Sequence, residues 1–228
     1  MNKNKILMMI SGVFLMRRLK FVSIFMLLAL LLGLSLQTRA GSYNRDTGVA
    51  WIDAHAHDRP SDYPNYGSGA GCNDCTNYVN QMLDKGGYPQ REGNDDIWHR
   101  YCYKKWWWRV SETWYNADKL NWYAAQYQGS EFEYRGWPDQ LEKGDFYLMD
   151  LRNNDNPNDP NPDGKADHAR AIVGWNWTST NSEDYYPDPV PPQQWALLSN
   201  QHCTDRWHVP WDFRVPGSVP RWSIHIKW

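Results

Sequence analysis

Residues 73–87 form a segment with a helical pattern, which begins Asn73-Asp74-Cys75-Thr76-Asn77-Tyr78-Val79-Asn80-Gln81. It continues through Met82 and Leu83 and closes on Gly86-Gly87. Tyr78, Val79, Met82 and Leu83 recur at the i, i+3, i+4 spacing of a half-buried helix. Asn73 or Asp74 can cap the start of this helix, and the glycine pair can end it. The stretch therefore predicts a helix that begins at Cys75 or just before it.

Cys75 is the most informative residue of this stretch. Unpaired N–H groups and the helix dipole at a helix start stabilise a thiolate, so we expect a lowered pKa for Cys75. Downstream, His168 opens a predicted strand, where a neutral imidazole could take the thiol proton. A cysteine nucleophile, a distant histidine and a third, orienting group form a papain-like arrangement. A buried or disulfide-bonded cysteine is the alternative interpretation of such a residue.

The rest of the chain gives helices first and strands later. Helices are predicted over residues 41–58, up to Arg59-Pro60, and over residues 111–126. Strands are predicted at residues 146–149, 168–175, 195–202 and 223–228. This order is typical of an α+β domain, with N-terminal helices packed on a small antiparallel sheet, rather than of alternating βα units.

The first 40 residues are predicted to be a secretory signal peptide. Arg17, Arg18 and Lys20 precede an uncharged apolar run over residues 21–36, and Thr38-Arg39-Ala40 offers small residues for cleavage after Ala40. This order of basic, apolar and small residues is typical of a signal peptide. The true start could be Met16. We therefore expect a secreted or cell-envelope protein that meets the membrane only through this peptide before cleavage.

Removal of residues 1–40 changes the charge of the chain. It takes away six basic residues and no acidic one, so residues 41–228 carry 18 basic and 26 acidic residues, a net charge of −8. Nucleic-acid binding is not expected, because it needs a basic surface. The remaining 188 residues suit a single domain. All 15 Trp lie in this part, which predicts an aromatic-rich core.

The residues around Cys75 resemble the putative amidase domain family. Besides residues 73–87, three later blocks match that family in order along residues 43–212. They are Leu141-Glu142-Lys143-Gly144-Asp145, Asp167-His168-Ala169-Arg170-Ala171-Ile172-Val173 and His202-Cys203-Thr204-Asp205-Arg206. The resemblance implies a papain-like fold related to NlpC-type and CHAP cell-wall hydrolases, with Cys75 as nucleophile and His168 as general base.

The third catalytic residue and the oxyanion site are predicted from strand geometry. If residues 168–175 and 195–202 form an antiparallel hairpin, the end of the second strand returns beside His168. His202, which lies in a matched block, is preferred as the residue that holds the His168 ring, with Asn200 as runner-up. The backbone N–H of Cys75 is expected to stabilise the oxyanion, with Asn73 or Tyr66 as a second donor.

Two patterns imitate metal sites, and no cofactor is predicted. Asp53-Ala54-His55-Ala56-His57 has the spacing of an amidohydrolase motif, but the barrel that hosts that chemistry has ~250 residues. We interpret these residues as surface residues. A calcium loop is the minority interpretation of a second pattern, because the acid at its last position is missing. Its candidate ligands are Asp159, Asn161, Asp163 and Asp167.

The other cysteines and a tryptophan run leave two further hypotheses. A disulfide is expected among Cys72, Cys102 and Cys203, with Cys102–Cys203 as the suggested pair, and Cys72 could pair reversibly with Cys75. Trp106, Trp107 and Trp108 suggest either a sugar-stacking platform or a packed core.

The sequence thus favours a secreted cysteine amidase or endopeptidase that acts on peptidoglycan peptides or other amide substrates. The alternative is a non-catalytic, Trp-rich module that binds cell wall or polysaccharide on a degenerate papain-like scaffold. A transferase that passes the acyl group to an amine is the third hypothesis. The sequence gives no oligomeric state.

Overall fold

The computed structural model describes residues 42–67, 74–91, 103–104, 109–151, 162–185, 189–190, 192–213 and 221–227. Within these residues the helices are α1 (Arg45–Ala54), α2 (Asp74–Lys85) and α3 (Ala117–Gln126). None of the helices in these ranges is long and apolar enough to cross a membrane. The predicted signal peptide lies outside the described residues.

Local sequence signals set the ends of the helices. The side chains of Asn44 and Asn116 accept backbone N–H groups at the starts of α1 and α3, as N-cap residues do. After α2, the N–H of Gly86 donates to the carbonyl of Met82, and Gly87 has a φ of 85°, which favours glycine. The predicted helix at residues 73–87 is confirmed, and Cys75 lies in its first turn.

Eight strands are seen in the described residues. They are β1 (Tyr103–Lys104), β2 (Arg109–Val110), β3 (Phe132–Arg135), β4 (Phe146–Met149), β5 (His168–Trp177), β6 (Trp195–Gln201), β7 (Arg206–Pro210) and β8 (Arg221–Ile226). Six of them form one antiparallel sheet in the order β3-β8-β4-β5-β6-β7, and β1 pairs with β2. The predicted α+β class and the antiparallel β5–β6 hairpin are confirmed.

Several elements differ from the sequence prediction. The predicted helix over residues 111–126 is broken into a 3₁₀ turn, Glu112–Trp114, and α3, because Asn116 adopts an extended conformation and starts a new helix. Strands β1, β2, β3 and β7 were not predicted. Each has only two to five residues, which gives little periodicity to detect.

The larger core lies between the helices and one face of the sheet. Its largest fully buried side chains include Trp114, Tyr78, Tyr123, Phe132 and Phe146, so the predicted aromatic core is confirmed. A second apolar cluster, comprising Leu141, Tyr147, Met149, Ile172 and Leu197, has Trp211 packed against it. Alternate residues of β4 contribute to the two clusters, because successive side chains of a strand point to opposite faces.

Candidate active site

Cys75 lies at the start of α2 with its sulfur against the start of β5. The residue is 3% exposed and its thiol is free. The backbone N–H groups of Ala169 and Thr76 lie beside Cys75 Sγ and favour its thiolate, and Thr76 Oγ1 lies 3.8 Å from the sulfur. Ala169 directly follows His168 in β5, so this contact places the sulfur at the end of the strand that carries His168.

The protonation of Cys75 differs from the sequence prediction. Burial raises the pKa of the Cys75 thiol, and the neighbouring Asp74 carboxylate raises it further. The N–H groups of Ala169 and Thr76 lower the pKa, but by less than burial raises it. The predicted lowering of the pKa is therefore wrong, since the helix start is covered by other elements and the sulfur has lost its water. At neutral pH the resting thiol keeps its proton.

The His168 ring is held by Gln201 at the end of β6. His168 Nε2 lies 3.0 Å from Gln201 Oε1. The amide nitrogen of Gln201 donates to the carbonyl of Thr204 at 2.8 Å, which turns Oε1 toward the ring. Because Oε1 can only accept, Nε2 carries a proton, and in the neutral form of the ring the lone pair is then on Nδ1. This tautomer suits a base that takes a proton through Nδ1.

Neither His202 nor Asn200 orients His168, contrary to the sequence prediction. His202 is fully buried, with Nδ1 2.6 Å from Asp74 Oδ2 and Nε2 2.8 Å from the carbonyl of His55. Asn200 Nδ2 donates to Asp53 Oδ1, and Asn200 Oδ1 accepts the N–H of His208. Both side chains are therefore engaged elsewhere.

The strand register explains this correction. Ala171 pairs with Asn200, so Asn200 and His202 share the face of Ala169 and Ala171. The His168 side chain in β5 points to the other face of the sheet, and so does the Gln201 side chain in β6. Strand alternation would have suggested Gln201 as the partner of His168 if the register of the hairpin had been known.

A buried polar network surrounds Asp74, the residue before Cys75. Asn77 Nδ2 donates to Asp74 Oδ1 at 2.8 Å, and Arg59 Nε forms an ion pair with Asp74 Oδ2 at 2.9 Å. Arg59 also binds both carboxylate oxygens of Asp205. The Tyr78 ring lies over His202, with a centroid distance of 3.9 Å. The network joins α2 to the matched block that begins at His202.

The expected oxyanion donor is already engaged in this structure. The backbone N–H of Cys75 donates to Cys203 Sγ at 3.2 Å, and Cys203 is disulfide-bonded. Tyr66 places its backbone N–H 3.4 Å from Asp74 Oδ1 and its ring against Tyr115. Asn73 lies outside the described residues, as do Cys72 and Cys102, so the suggested disulfide pair stays a prediction. Trp106, Trp107 and Trp108 are also outside them.

No group of histidine, cysteine, aspartate or glutamate residues suited to a metal ion is found in the described ranges. Of the suggested calcium ligands, Asp163 and Asp167 accept backbone N–H groups from Lys165 and Leu151. Asp159 and Asn161 lie outside the description. His55 and His57 bind different carboxylates, Asp58 and Asp184 respectively.

A cavity of about 350 Å³ lies away from Cys75, lined by Arg45, Glu133, Glu142, His225, Ile226 and Lys227. Most of its charged side chains already have protein partners. Arg45 and His225 bind the buried Asp145 carboxylate, and Lys227 Nζ donates to the carbonyl of Gly129. We interpret these contacts as structural.

Comparison with protein families identifies the chain. Residues 42–226 match the family described as the putative amidase domain. This chain belongs to that family. The match covers Cys75, His168 and Gln201, and it supports an amide-hydrolysing function. Comparison with curated proteins and with solved structures gave no match.

Proposed function

We propose that this amidase-family protein is a cysteine hydrolase that uses Cys75 as nucleophile and His168 as general base. The observation that supports it best is the contact of Cys75 Sγ with the N–H of Ala169, which brings a free thiol to the strand end that carries His168. The Gln201 side chain, which holds the His168 ring at 3.0 Å, supplies the orienting group. This arrangement also supports a papain-like relationship to NlpC-type and CHAP hydrolases.

The mechanism begins with a neutral thiol and a neutral imidazole. His168 Nδ1 takes the Cys75 proton as the sulfur forms a bond to the amide carbonyl carbon. The imidazolium then protonates the leaving nitrogen as the C–N bond breaks and a thioester remains. Water, deprotonated by His168, attacks the thioester carbonyl and releases the acid and the Cys75 thiol.

The raised pKa of Cys75 makes the general base necessary. A thiol that keeps its proton is a poor nucleophile, so attack requires transfer of that proton in the same step. Gln201 binds the opposite side of the imidazole, at Nε2, and accepts a stronger hydrogen bond once the ring becomes positively charged. Gln201 is therefore a positioning residue.

Peptide bonds of peptidoglycan are the proposed substrate class. The amidase family supports amide chemistry, and the predicted signal peptide would place the enzyme outside the cell. A domain of net charge −8 is not drawn to anionic wall polymers, so it would recognise an uncharged or mixed-charge peptide region.

The test is digestion of purified peptidoglycan, with products read by mass spectrometry. Cys75→Ala and His168→Ala should each lower the rate of amide cleavage by about 10³-fold or more, because each removes a covalent or proton-transfer step. His57→Ala is the matched control, since this histidine is 51% exposed and pairs with Asp184. Full activity of Cys75→Ala would overturn the cysteine mechanism. Products carrying a new amine would indicate acyl transfer, and binding without any product would indicate a non-catalytic module.

A second series tests Gln201. Gln201→Ala should lower kcat by roughly 10-fold to 100-fold with little change in KM, because the ring loses its orientation and not its substrate contacts. Gln201→Asn and Gln201→Glu are expected to restore part of kcat and to shift the pH profile differently. Gln194→Ala, an exposed glutamine in the same hairpin, is the control. An unchanged pH profile in all the Gln201 variants would assign Gln201 a purely structural role.

A further inference from the structure

The end of the β5–β6 hairpin carries an exposed tryptophan cluster that the amidase chemistry does not use. Trp175, Trp177 and Trp195 are 55%, 53% and 56% exposed. In the described residues they make up half of the large hydrophobic side chains that are exposed, the others being Trp137, Leu151 and Val190. We call Trp175, Trp177 and Trp195 the tryptophan cluster.

The strand register places the three indoles on one face. Trp177 pairs directly with Trp195. Trp175 lies two residues before Trp177, on the same side of β5. The Trp177 and Trp195 rings meet edge to face, with centroids 5.9 Å apart. Trp175 and Trp177 are about 6.6 Å apart along the strand, so the three rings span the length of a short oligosaccharide.

This end of the hairpin extends beyond the sheet. In the described residues the ladder pairs of β4 with β5 end at Ala171, and those of β7 with β6 end at Leu198. The pairs from Trp175–Leu197 to Trp177–Trp195 therefore lie outside the ladders of the neighbouring strands, and their tryptophan side chains are accessible. Trp175 pairs with Leu197, a residue of the second apolar cluster, so the base of this end of the hairpin is fixed to the core.

The charge of this end of the hairpin indicates the kind of ligand. Residues 174–180 and 192–198 contain no charged side chain, although 22% of the whole chain is charged. Gln193, two residues before Trp195, is exposed and can exchange hydrogen bonds with hydroxyl groups. A surface of indole rings with a neutral amide beside it complements an uncharged ligand that has apolar faces and polar edges.

The exposed area is too small for a stable protein partner. The three indoles together expose roughly 400 Å², taking ~250 Å² for each ring. A standard protein interface needs about 800 Å² from each partner. The cluster therefore suits a narrow ligand better than a second protein chain.

We propose that the tryptophan cluster binds an uncharged polysaccharide strand by stacking of sugar rings on the indoles. The surface would hold the protein on a glycan independently of Cys75. The inference goes beyond the proposed amidase function and would stand if that function failed, because binding needs no turnover.

The test uses the full chain with Cys75→Ala, so that no cleavage disturbs binding, and insoluble chitin as the probe. Adding Trp177→Ala and Trp195→Ala together should weaken binding to chitin by about tenfold or more, since truncating a stacked aromatic anchor commonly has this effect. Trp137→Ala is the matched control, because Trp137 is 62% exposed and lies outside the hairpin. Its binding should equal that of Cys75→Ala alone.

Two further measurements keep the proposal falsifiable. A soluble chitin oligosaccharide should change the tryptophan fluorescence of the Cys75→Ala protein, and the double tryptophan variant should lose this response while it keeps its circular dichroism spectrum. Equal chitin binding by the double variant would overturn the proposal, as would equal binding to polygalacturonate, an anionic polymer. A dimer in analytical ultracentrifugation that the double variant dissociates would instead assign the face to a contact between copies.

Discussion

At the scale of single residues, Asp74 and Cys75 are adjacent and buried, yet their pKa values move in opposite directions. Burial acts to raise the pKa of Asp74, but the hydrogen bonds from His202 and Asn77 and the positive charge of Arg59 lower it by more. Cys75 receives only N–H and hydroxyl contacts, so burial prevails and its pKa rises. The partners available inside the fold, rather than the position in the helix, decide which form each side chain keeps.

The lowered pKa of Asp74 predicts a loss of stability in acid. A carboxyl whose folded pKa lies below its unfolded value, about 3.9, stabilises the fold above that pH and loses this effect as the pH falls through the folded pKa. Asp74→Asn should therefore be less stable than the wild type at pH 7, with a difference that shrinks below about pH 4. The measurement is the free energy of unfolding by urea at several pH values. Asp139→Asn, at an exposed site, controls for loss of one surface carboxylate. A difference that stays constant from neutral to acid pH would contradict the prediction.

At the scale of elements, the close packing of α1 against the end of α2 depends on glycine. A Cβ added at Gly86 would lie 2.2 Å from Cε2 of Tyr43 and 3.0 Å from the carbonyl oxygen of Asn44. Tyr43 cannot easily move away, because its hydroxyl donates to the carbonyl of Gly144 at 2.9 Å. The Gly86 carbonyl also accepts the N–H of Asn44 at 2.7 Å. Packing thus requires glycine at position 86, and the positive φ requires glycine at position 87.

Gly86→Ala is expected to lower the free energy of unfolding by about 1–3 kcal/mol, because the added methyl group overpacks a closed contact. Chemical denaturation monitored by circular dichroism measures the change. Gly136→Ala is the matched control, since a Cβ there meets only Gln140 Oε1, at an ordinary 3.6 Å. Equal stability of the two variants would show that α1 and α2 can separate at little cost.

At the scale of the whole molecule, Asp145 ties together three distant segments. The carboxylate is fully buried; Arg45 of α1 binds one oxygen at 2.5 Å, and His225 of β8 lies 2.9 Å from the other. The backbone N–H groups of Glu142 and Ile226 also donate to it. The carboxylate therefore links the N-terminal helix, the turn before β4 and the last described strand.

Asp145→Ala should destabilise the protein by roughly 3 kcal/mol or more, because removing one partner of a buried ion pair leaves the other groups unsatisfied. The midpoint of urea unfolding would report this loss. Asp46→Ala is the control. Asp46 is exposed and pairs with Lys143, so its removal should leave the transition almost unchanged. A small effect of Asp145→Ala would mean that water or another group replaces the carboxylate.

The sequence alone determined the features that depend on near neighbours. These are the helix at Cys75, with its apolar spacing and its terminal glycines, the α+β order of the elements, and the strand that starts at His168. Such signals are local, because capping, periodicity and backbone freedom act within a few residues. They identified the candidate nucleophile and base without any knowledge of the sheet.

Only the tertiary structure decided the features that depend on register and burial. The pairing of Ala171 with Asn200 turned His202 toward Asp74 and left Gln201 to hold His168. Burial under β5 reversed the expected pKa of Cys75, and the hairpin brought Trp175, Trp177 and Trp195 onto one exposed face. A shift of one residue in a strand exchanges its two faces, and a pKa depends on groups distant in sequence. Neither the register of a strand nor the pKa of a buried group is encoded in a local sequence pattern.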